Sequence, residues 1–191
     1  MKDKSAKVIQ ALIDGAEEEM NINKLSKLTG INYKNTYDII KRLNTQGLVQ
    51  LKKFGQAQRC TLNRKPHPLI FEAEYERRER LLKNTDMKVL YNKLSQLTFP
   101  ITALLFGSHA RGQAGKGSDL DLMVICEKPR ADEVERTISL LPLTIHLTIL
   151  TWEEFLTMTK TREFSVVSEA LKYNIILTGI EDYYRLIKHA R

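Results

Sequence analysis

Hydrophobic positions in the first third of the chain follow a helical repeat in three segments and then give way to two short strands. The pattern predicts a first helix over 4–15 and a second helix that either Asn21 or Asn23 caps. The buried positions of the second helix are predicted to be Ile22, Leu25 and Leu28. A third helix follows Asn32, and its shared face is predicted to be Thr36, Tyr37, Ile40 and Leu43. The strands are predicted at 48–53 and 58–62, around a turn at 54–57.

This order of helix, short helix, turn, helix and hairpin resembles the winged helix-turn-helix domains of archaeal and bacterial regulators. The resemblance implies binding of double-stranded DNA, with the third helix in the major groove. The residues expected to contact DNA lie on the outer face of that helix and beside the hairpin turn: Tyr33, Lys34, Asn35, Lys41, Arg42, Lys52, Lys53 and Arg59. Two alternatives remain open, because winged helices also dock proteins and a lysine-rich face can simply be solvated.

The charge distribution favours a polyanionic partner for this part of the chain. The protein has a net charge of +7, and residues 1–65 contain 13 Lys and Arg against 6 Asp and Glu. The remaining residues contain 17 of each kind. Because the excess coincides with the predicted third helix and hairpin, DNA is the expected partner. We also expect a homodimer, since winged helices often contact paired half-sites.

Two prolines, Pro66 and Pro68, interrupt the pattern and mark a domain boundary. The segment 71–83 is rich in charges and is predicted to be an exposed helix, and Thr85 can cap another. The apolar stripe of that next helix consists of Met87, Leu90, Tyr91, Leu94 and Leu97, which would pack on the following domain or form a dimer seam. The predicted organisation is a DNA-binding domain at 1–65, a helical connector at 66–98 and a further domain at 99–191.

From residue 99 onward, apolar strands alternate with amphipathic helices. Strands are predicted at 101–106, 119–125, 143–150 and 175–177. Helices are predicted at 129–141, from 152 after a Thr151 cap, at 163–173 and at 180–189. The alternation predicts an α/β domain in which helices cover one side of a mixed sheet.

The residues with the clearest chemistry follow the first of these strands. Gly107 and Ser108 stand at a strand–helix junction, where glycine permits unusual backbone angles and a hydroxyl beside free N–H groups favours an anion. Asp119 and Asp121 are two residues apart on a strand, which places both carboxylates on one face. Two such carboxylates opposite a phosphate site predict a binding site for Mg²⁺ together with a polyphosphate. The alternative is a glycine-rich hairpin with exposed aspartates.

The combination of Gly107-Ser108, Arg111-Gly112 and Ser118-Asp119-x-Asp121 resembles the signature of the nucleotidyltransferase superfamily with the polymerase-beta-like fold, in particular its minimal nucleotidyltransferase domains. The resemblance covers 99–191. It implies that Asp119 and Asp121 are catalytic and bind Mg²⁺, and that Ser108 holds the phosphates of a nucleoside triphosphate. The residues expected to bind the nucleotide are Gly107, Ser108, Arg111 and Ser118, although Arg111 has an alternative role in fixing the turn.

One position departs from the family pattern. The third acid of the family lies on a later strand, and the matching position here is His146. Strand alternation allows His146 to face the site, and an imidazole can act as the base, so His146 is predicted to be catalytic. Two interpretations remain. The domain either transfers a nucleoside monophosphate to a hydroxyl acceptor or is a catalytically silent part of a transcription regulator. A nucleotidyl-transferring antitoxin is a third option.

Other features of the sequence limit the environment of the protein. No apolar run approaches the ~20 residues that a membrane span requires. Cys60 and Cys126 lack metal-ligand spacing and are interpreted as reduced thiols. The sequence therefore predicts a cytoplasmic protein.

Overall fold

A computed structural model of the chain describes residues 4–54, 57–115, 117–160 and 165–188. Residues 55 and 56 of the predicted turn, residues 163 and 164 of a predicted helix and residue 189 at the predicted end of another lie outside these ranges. The chain divides into two compact units, Met1–Ala73 and Glu74–Arg191. Each unit is described separately.

The first unit contains the predicted helices and strands in the predicted order. They are α1 (Ser5–Asp14), α2 (Ile22–Thr29), α3 (Tyr33–Thr45), β1 (Val49–Phe54) and β2 (Ala57–Leu62). The two strands are antiparallel. Asparagines cap two of the helices, because the side chain of Asn21 accepts a hydrogen bond from the Lys24 N–H and that of Asn32 accepts one from the Asn35 N–H, each at 2.9 Å. Of the two proposed caps for α2, Asn21 is therefore the one used.

Two predictions for the core of the first unit are wrong. Leu28 is 58% exposed, because the buried side of the short helix α2 runs through Ile22, Leu25 and Thr29 instead. Tyr37 is 38% exposed. The buried positions of α3 are Thr36, Ile40 and Leu43, and Tyr37 lies one position around the helix from this stripe. Both errors place a large side chain at the surface.

The segment after the prolines also differs from its prediction. Helix α4 (Pro68–Leu81) begins at a proline, which is favourable at the first helical position. It was predicted to be exposed, but Glu74 and Arg77 are only 2% and 3% exposed. Helix α5 (Thr85–Leu94) is capped by Asn84, not by Thr85, because the side-chain oxygen Oδ1 of Asn84 accepts hydrogen bonds from the Asp86 and Met87 N–H groups.

The second unit is built on a four-stranded mixed sheet, as predicted. Its strands are β3 (Thr102–Phe106), β4 (Leu120–Ile125), β5 (Ile145–Leu150) and β6 (Ile175–Thr178), in the order β5-β4-β3-β6. Strands β4 and β5 are parallel, whereas β3 is antiparallel to both β4 and β6. The remaining helices are α6 (Gly107–Ala110), α7 (Ala131–Ser139), α8 (Trp152–Lys160), α9 (Val166–Lys172) and α10 (Ile180–Lys188).

Both faces of this sheet are covered, which corrects the expectation of helices on one side. Every residue of β3 is buried, and every residue of β4 except Asp121 is buried. Because neighbouring strand residues point to opposite faces, burial of all of them requires cover on both sides. The predicted stripe of α5 packs in the core with α7 against one face, and α9 and α10 also contact β3.

The two cysteines are free and buried. Burial raises the pKa of the Cys60 thiol to about 11 and raises the pKa of Cys126 as well. Both thiols are therefore protonated at neutral pH and poorly nucleophilic. Among the helices of the described ranges, none has the length and apolar character of a membrane span.

Candidate functional site

Strand pairing brings three of the predicted site residues together at one edge of the second unit's sheet. Asp121 at the start of β4 lies opposite His146 on β5, and Asp119 immediately precedes β4. Nε2 of His146 is 3.3 Å from Oδ2 of Asp119, and Nδ1 of His146 is 3.6 Å from Oδ1 of Asp121. Leu120, between the two aspartates, points into the core. The two carboxylates therefore share a face and meet at one imidazole ring.

This cluster is open to solvent. The side chains of His146, Asp119 and Asp121 are 68%, 40% and 31% exposed. Each nitrogen of the imidazole faces a different carboxylate, so a protonated ring has an N–H for both, whereas a neutral ring has an N–H for only one. The distance to Asp121 is longer than a good hydrogen bond. The carboxylates thus retain unsatisfied acceptor positions that a ligand can occupy.

Gly107 provides the space in which the Asp121 carboxylate lies. Phe106, the last residue of β3, pairs with Asp121, so the backbone of Gly107 lies beside that carboxylate. Gly107 has a φ of 65°, and a Cβ atom added there would lie 2.0 Å from Oδ2 of Asp121. Both the backbone conformation and the close approach therefore require glycine.

Ser108 lies in the first turn of the short helix α6, next to this glycine. Its side chain is half-buried, and its hydroxyl makes no hydrogen bond with any residue in the part of the chain that the structure describes. Its carbonyl oxygen accepts a hydrogen bond from the Gln113 N–H at 2.9 Å, which closes the turn. The hydroxyl of Ser108 is thus available to a ligand.

The other two predicted nucleotide ligands have partners within the protein. Nη2 of Arg111 is 3.5 Å from Oε1 of Glu169, so this side chain links the end of α6 to α9. The Ser118 hydroxyl accepts a hydrogen bond from the Gly115 N–H at 2.9 Å. It therefore orders its own loop.

Sequence reasoning missed one residue that positions the site. Nε2 of His109 lies 3.0 Å from the carbonyl oxygen of Ser118, so this ring links α6 to the residue before Asp119. A lone histidine in a glycine-rich segment gives no signal of such a contact. The partner, Ser118, is nine residues further along the chain and is brought close only by the fold.

The donor set at this edge fits Mg²⁺. The ion takes one or two carboxylates from a protein and its remaining ligands from phosphates and water. Asp119 and Asp121 supply two carboxylates, and Gly107 leaves the space beside one of them free of side-chain atoms. Within the described ranges, no group of three or more His, Cys, Asp and Glu side chains is arranged to hold a metal ion. Any further ligands of an ion at this edge would therefore come from water or from a bound molecule.

The residues predicted to contact DNA are exposed in the first unit. They are Tyr33, Lys34, Asn35, Lys41, Arg42, Lys52, Lys53 and Arg59. Arg42 also donates a hydrogen bond to the Ser5 hydroxyl at 2.5 Å and so helps to hold α3 against α1. Nζ of Lys41 lies 5.4 Å from the centre of the Tyr37 ring.

Comparison with known proteins supports one assignment. Residues 87–177 match the family model described as a nucleotidyltransferase domain. This segment is slightly less than half of the chain and includes Gly107, Asp119, Asp121 and His146. No curated protein and no solved structure matches the chain. The match supports a nucleotidyltransferase domain in the second unit and, with it, nucleotidyl transfer as the activity of this segment.

Proposed function

We propose that the second unit binds a nucleoside triphosphate with Mg²⁺ and transfers the nucleoside monophosphate to a hydroxyl acceptor, with release of pyrophosphate. The observation that carries this proposal is the meeting of Asp119, Asp121 and His146 at one sheet edge beside Gly107 and Ser108. The family match over the same segment supports it independently.

Each residue has a distinct role in this proposal. Asp119 and Asp121 hold Mg²⁺, which stabilises negative charge on the phosphates when it is bound. Ser108 donates its free hydroxyl to a phosphate oxygen. Arg111 and Ser118 act through the loop, because their side chains already have partners at Glu169 and Gly115.

His146 takes the place of the base in this scheme. In the neutral ring, one nitrogen carries no proton and can accept the proton of the acceptor hydroxyl. The resulting imidazolium then has one N–H directed towards each carboxylate, at 3.3 Å from Asp119 and 3.6 Å from Asp121. Proton transfer of this kind contributes about 10²- to 10⁴-fold to a rate.

A second function is favoured by the position of the same ring. The imidazole is in contact with both carboxylates where a third acid is expected, so it can also compete with a cation for them. In this alternative, the protein is a transcription regulator with a catalytically silent domain. The domain would then lack activity because His146 stands where the family pattern has its third acid.

A transfer assay with labelled triphosphates separates the two functions. The parent and a His146→Asp variant are incubated with each nucleoside triphosphate, Mg²⁺ and a set of protein and nucleic-acid acceptors. Transfer by the parent, reduced at least tenfold in a His146→Ala variant, would support the imidazole as base. Transfer only by His146→Asp would support the silent domain, and no transfer by any variant would contradict the catalytic proposal.

For the first unit, we propose a winged helix-turn-helix that binds double-stranded DNA. Three helices followed by a hairpin support this assignment, as does the exposure of the basic residues on α3 and beside the hairpin turn. In this proposal, Asn35 on α3 contacts a base edge, whereas Lys52 and Lys53 contact phosphates. The pairing of Asn21 with Arg59 and the hydrogen bond from the Cys60 N–H to the Met20 carbonyl hold β2 to the chain before α2.

Salt dependence tests the DNA-binding proposal. If Lys52 and Lys53 contact phosphates, their replacement by alanine should weaken binding to all duplexes and make the slope of log affinity against log salt shallower by about two. The matched control is the pair Lys83→Ala and Lys88→Ala, which removes two exposed lysines from the second unit. Equal affinities and slopes for both double variants would contradict the proposal. Light scattering on the same samples tests the expected homodimer.

A further inference from the structure

An open groove of about 570 Å³ lies in the first unit between the start of α2, the first half of α3 and the hairpin. Its lining includes Ile22, Asn23, Tyr33, Tyr37, Lys53 and Gln58. Only Tyr33 and Lys53 of these were predicted to contact DNA. Asn23, Tyr37 and Gln58 were not among the residues predicted to contact DNA.

Two exposed aromatic rings define the character of the groove. Tyr33 and Tyr37 are 55% and 38% exposed, although both are large hydrophobic side chains. They are four residues apart on α3 and so lie one above the other on the same face of the helix. Nζ of Lys41, one further turn along, is 5.4 Å from the centre of the Tyr37 ring. The rings and the ammonium group thus follow one line along the helix.

The polar lining complements these rings. The exposed amides of Asn23 and Gln58 each offer a hydrogen-bond donor and an acceptor, which is the combination that pairs with the edge of a base. Lys53 supplies a cation at the rim of the groove on the hairpin side. Two aromatic rings with amides and a cation are typical of sites that bind unpaired bases of nucleic acids.

The form of nucleic acid follows from the aromatic rings. In a continuous duplex, the faces of each base are covered by neighbouring base pairs, so a protein can contact only the base edges and the backbone. A tyrosine ring can stack only on a base that has a free face, and an unpaired base offers one. Of the described residues that line the groove, Lys53 is the one cation, and a groove built mainly to bind phosphates would need more.

We propose that this groove binds an unpaired nucleobase, which stacks on Tyr33 and Tyr37 while Asn23 and Gln58 contact its edge and Lys41 and Lys53 contact the flanking phosphates. The proposal rests on the proposed DNA binding and narrows it. The preferred site is then a duplex that contains a gap or a bulge.

The test compares two DNA probes with the full-length protein. One is a continuous duplex, and the other is the same duplex with a central gap in which 2-aminopurine is unpaired. We expect the parent to bind the gapped probe at least fivefold more tightly and to quench 2-aminopurine fluorescence. A Tyr33→Ala, Tyr37→Ala variant loses the stacking of this one base and should bind the gapped probe about 5- to 150-fold more weakly than the parent does.

Two controls keep the test decisive. A Tyr33→Phe, Tyr37→Phe variant retains both rings and should still prefer the gapped probe and quench 2-aminopurine fluorescence. Circular dichroism melts establish that both double variants are folded. If the parent binds both probes equally, or if alanine weakens binding to both probes equally, the inference about the groove is overturned while DNA binding stands. If the parent binds neither probe, the DNA-binding proposal itself fails.

Discussion

The second unit contains two clusters of charged side chains that differ in burial and in how fully their hydrogen bonds are satisfied. In the first, Glu74 and Arg77 are 2% and 3% exposed and lie 2.5 Å apart. Tyr184 donates a hydrogen bond to the second oxygen of Glu74 at 2.6 Å, and Arg77 donates one to the carbonyl oxygen of Asn174 at 2.9 Å. In the other cluster, the side chains of Asp119 and His146 are 40% and 68% exposed and lie 3.3 Å apart.

The difference separates a structural ion pair from a candidate site. A buried charge is tolerated only when partners replace the water it has lost, and the Glu74–Arg77 pair has such partners in the Tyr184 hydroxyl and the Asn174 carbonyl oxygen. The aspartates at the sheet edge keep free acceptor positions beside a glycine that leaves room for a ligand. The buried cluster should therefore determine stability, and the exposed cluster should determine nucleotide binding.

The largest expected effect is on stability, in an Arg77→Met variant. Removal of the guanidinium leaves the Glu74 carboxylate buried without its counter-charge, which should lower the free energy of unfolding by about 3 to 5 kcal/mol. Urea denaturation followed by circular dichroism measures this loss. A Glu74→Leu, Arg77→Met double variant removes both charges and should recover more than half of it. No recovery would mean that the pair does not act as a unit.

A Gly107→Ala variant tests whether the glycine holds the exposed cluster in place. The positive φ and the approach of Oδ2 of Asp121 should together cost about 1 to 3 kcal/mol of stability, and the displaced carboxylate should weaken triphosphate binding. Gly179 is a matched control, because it has a φ of 73° and an added Cβ would lie 2.5 Å from Oγ1 of Thr102 at the other end of β3. Gly179→Ala should be similarly destabilised but should bind triphosphate normally. Equal loss of binding in both variants would contradict a specific role for Gly107.

An Asp119→Asn variant should change the free energy of unfolding much less than Arg77→Met does. The exposed contact with His146 contributes less than about 1 kcal/mol, and loss of one of two neighbouring carboxylates also relieves repulsion between them. The free energy of unfolding should therefore change little. A loss comparable to that of Arg77→Met, measured in the same urea experiment, would show that the sheet-edge aspartates are structural.

The smallest effect concerns an acid outside both clusters. Hydrogen bonds from the Thr151 N–H and hydroxyl hold the pKa of the Glu154 carboxyl below its ordinary value of 4.5. A lowered pKa means that this carboxylate stabilises the fold above pH 4.5 and that the contribution is lost as the pH falls below that value. The melting temperatures of the parent and Glu154→Gln should differ at pH 7, and the difference should shrink as the pH is lowered below 4.5. A constant difference would contradict this assignment.

The elements that the sequence predicted correctly depend on local signals. The strand after Pro100 is a mostly apolar run that ends at Gly107, and Asn32 stands directly before a helical repeat. Likewise, alternation along one strand was sufficient to place Asp119 and Asp121 on the same face. For these features, the information lies within a few residues of the element concerned.

The features that were missed depend on partners far along the chain. Helix α4 was predicted to be exposed because of its charges. Glu74 on this helix is buried instead, and its carboxylate accepts a hydrogen bond from Tyr184, 110 residues later in the chain. The pairing of Arg111 with Glu169 and of His109 with Ser118 likewise exists only after folding. The cap of α5 was predicted one residue too late, at Thr85, whereas Asn84 caps the helix. His146 was placed at the site by the family resemblance, since the register between β4 and β5 has no local signal.

Isothermal titration calorimetry of the full-length protein tests the central claim most directly. Each nucleoside triphosphate is titrated with and without Mg²⁺ into the parent, an Asp119→Asn, Asp121→Asn variant and an Asp132→Asn control, in which an exposed aspartate on α7 is changed. We predict saturable, Mg²⁺-dependent binding by the parent and the control, and at least tenfold weaker binding by the double variant. Absence of binding by the parent, or equal dissociation constants for the parent and the double variant, would contradict the claim that this sheet edge is a nucleotide site.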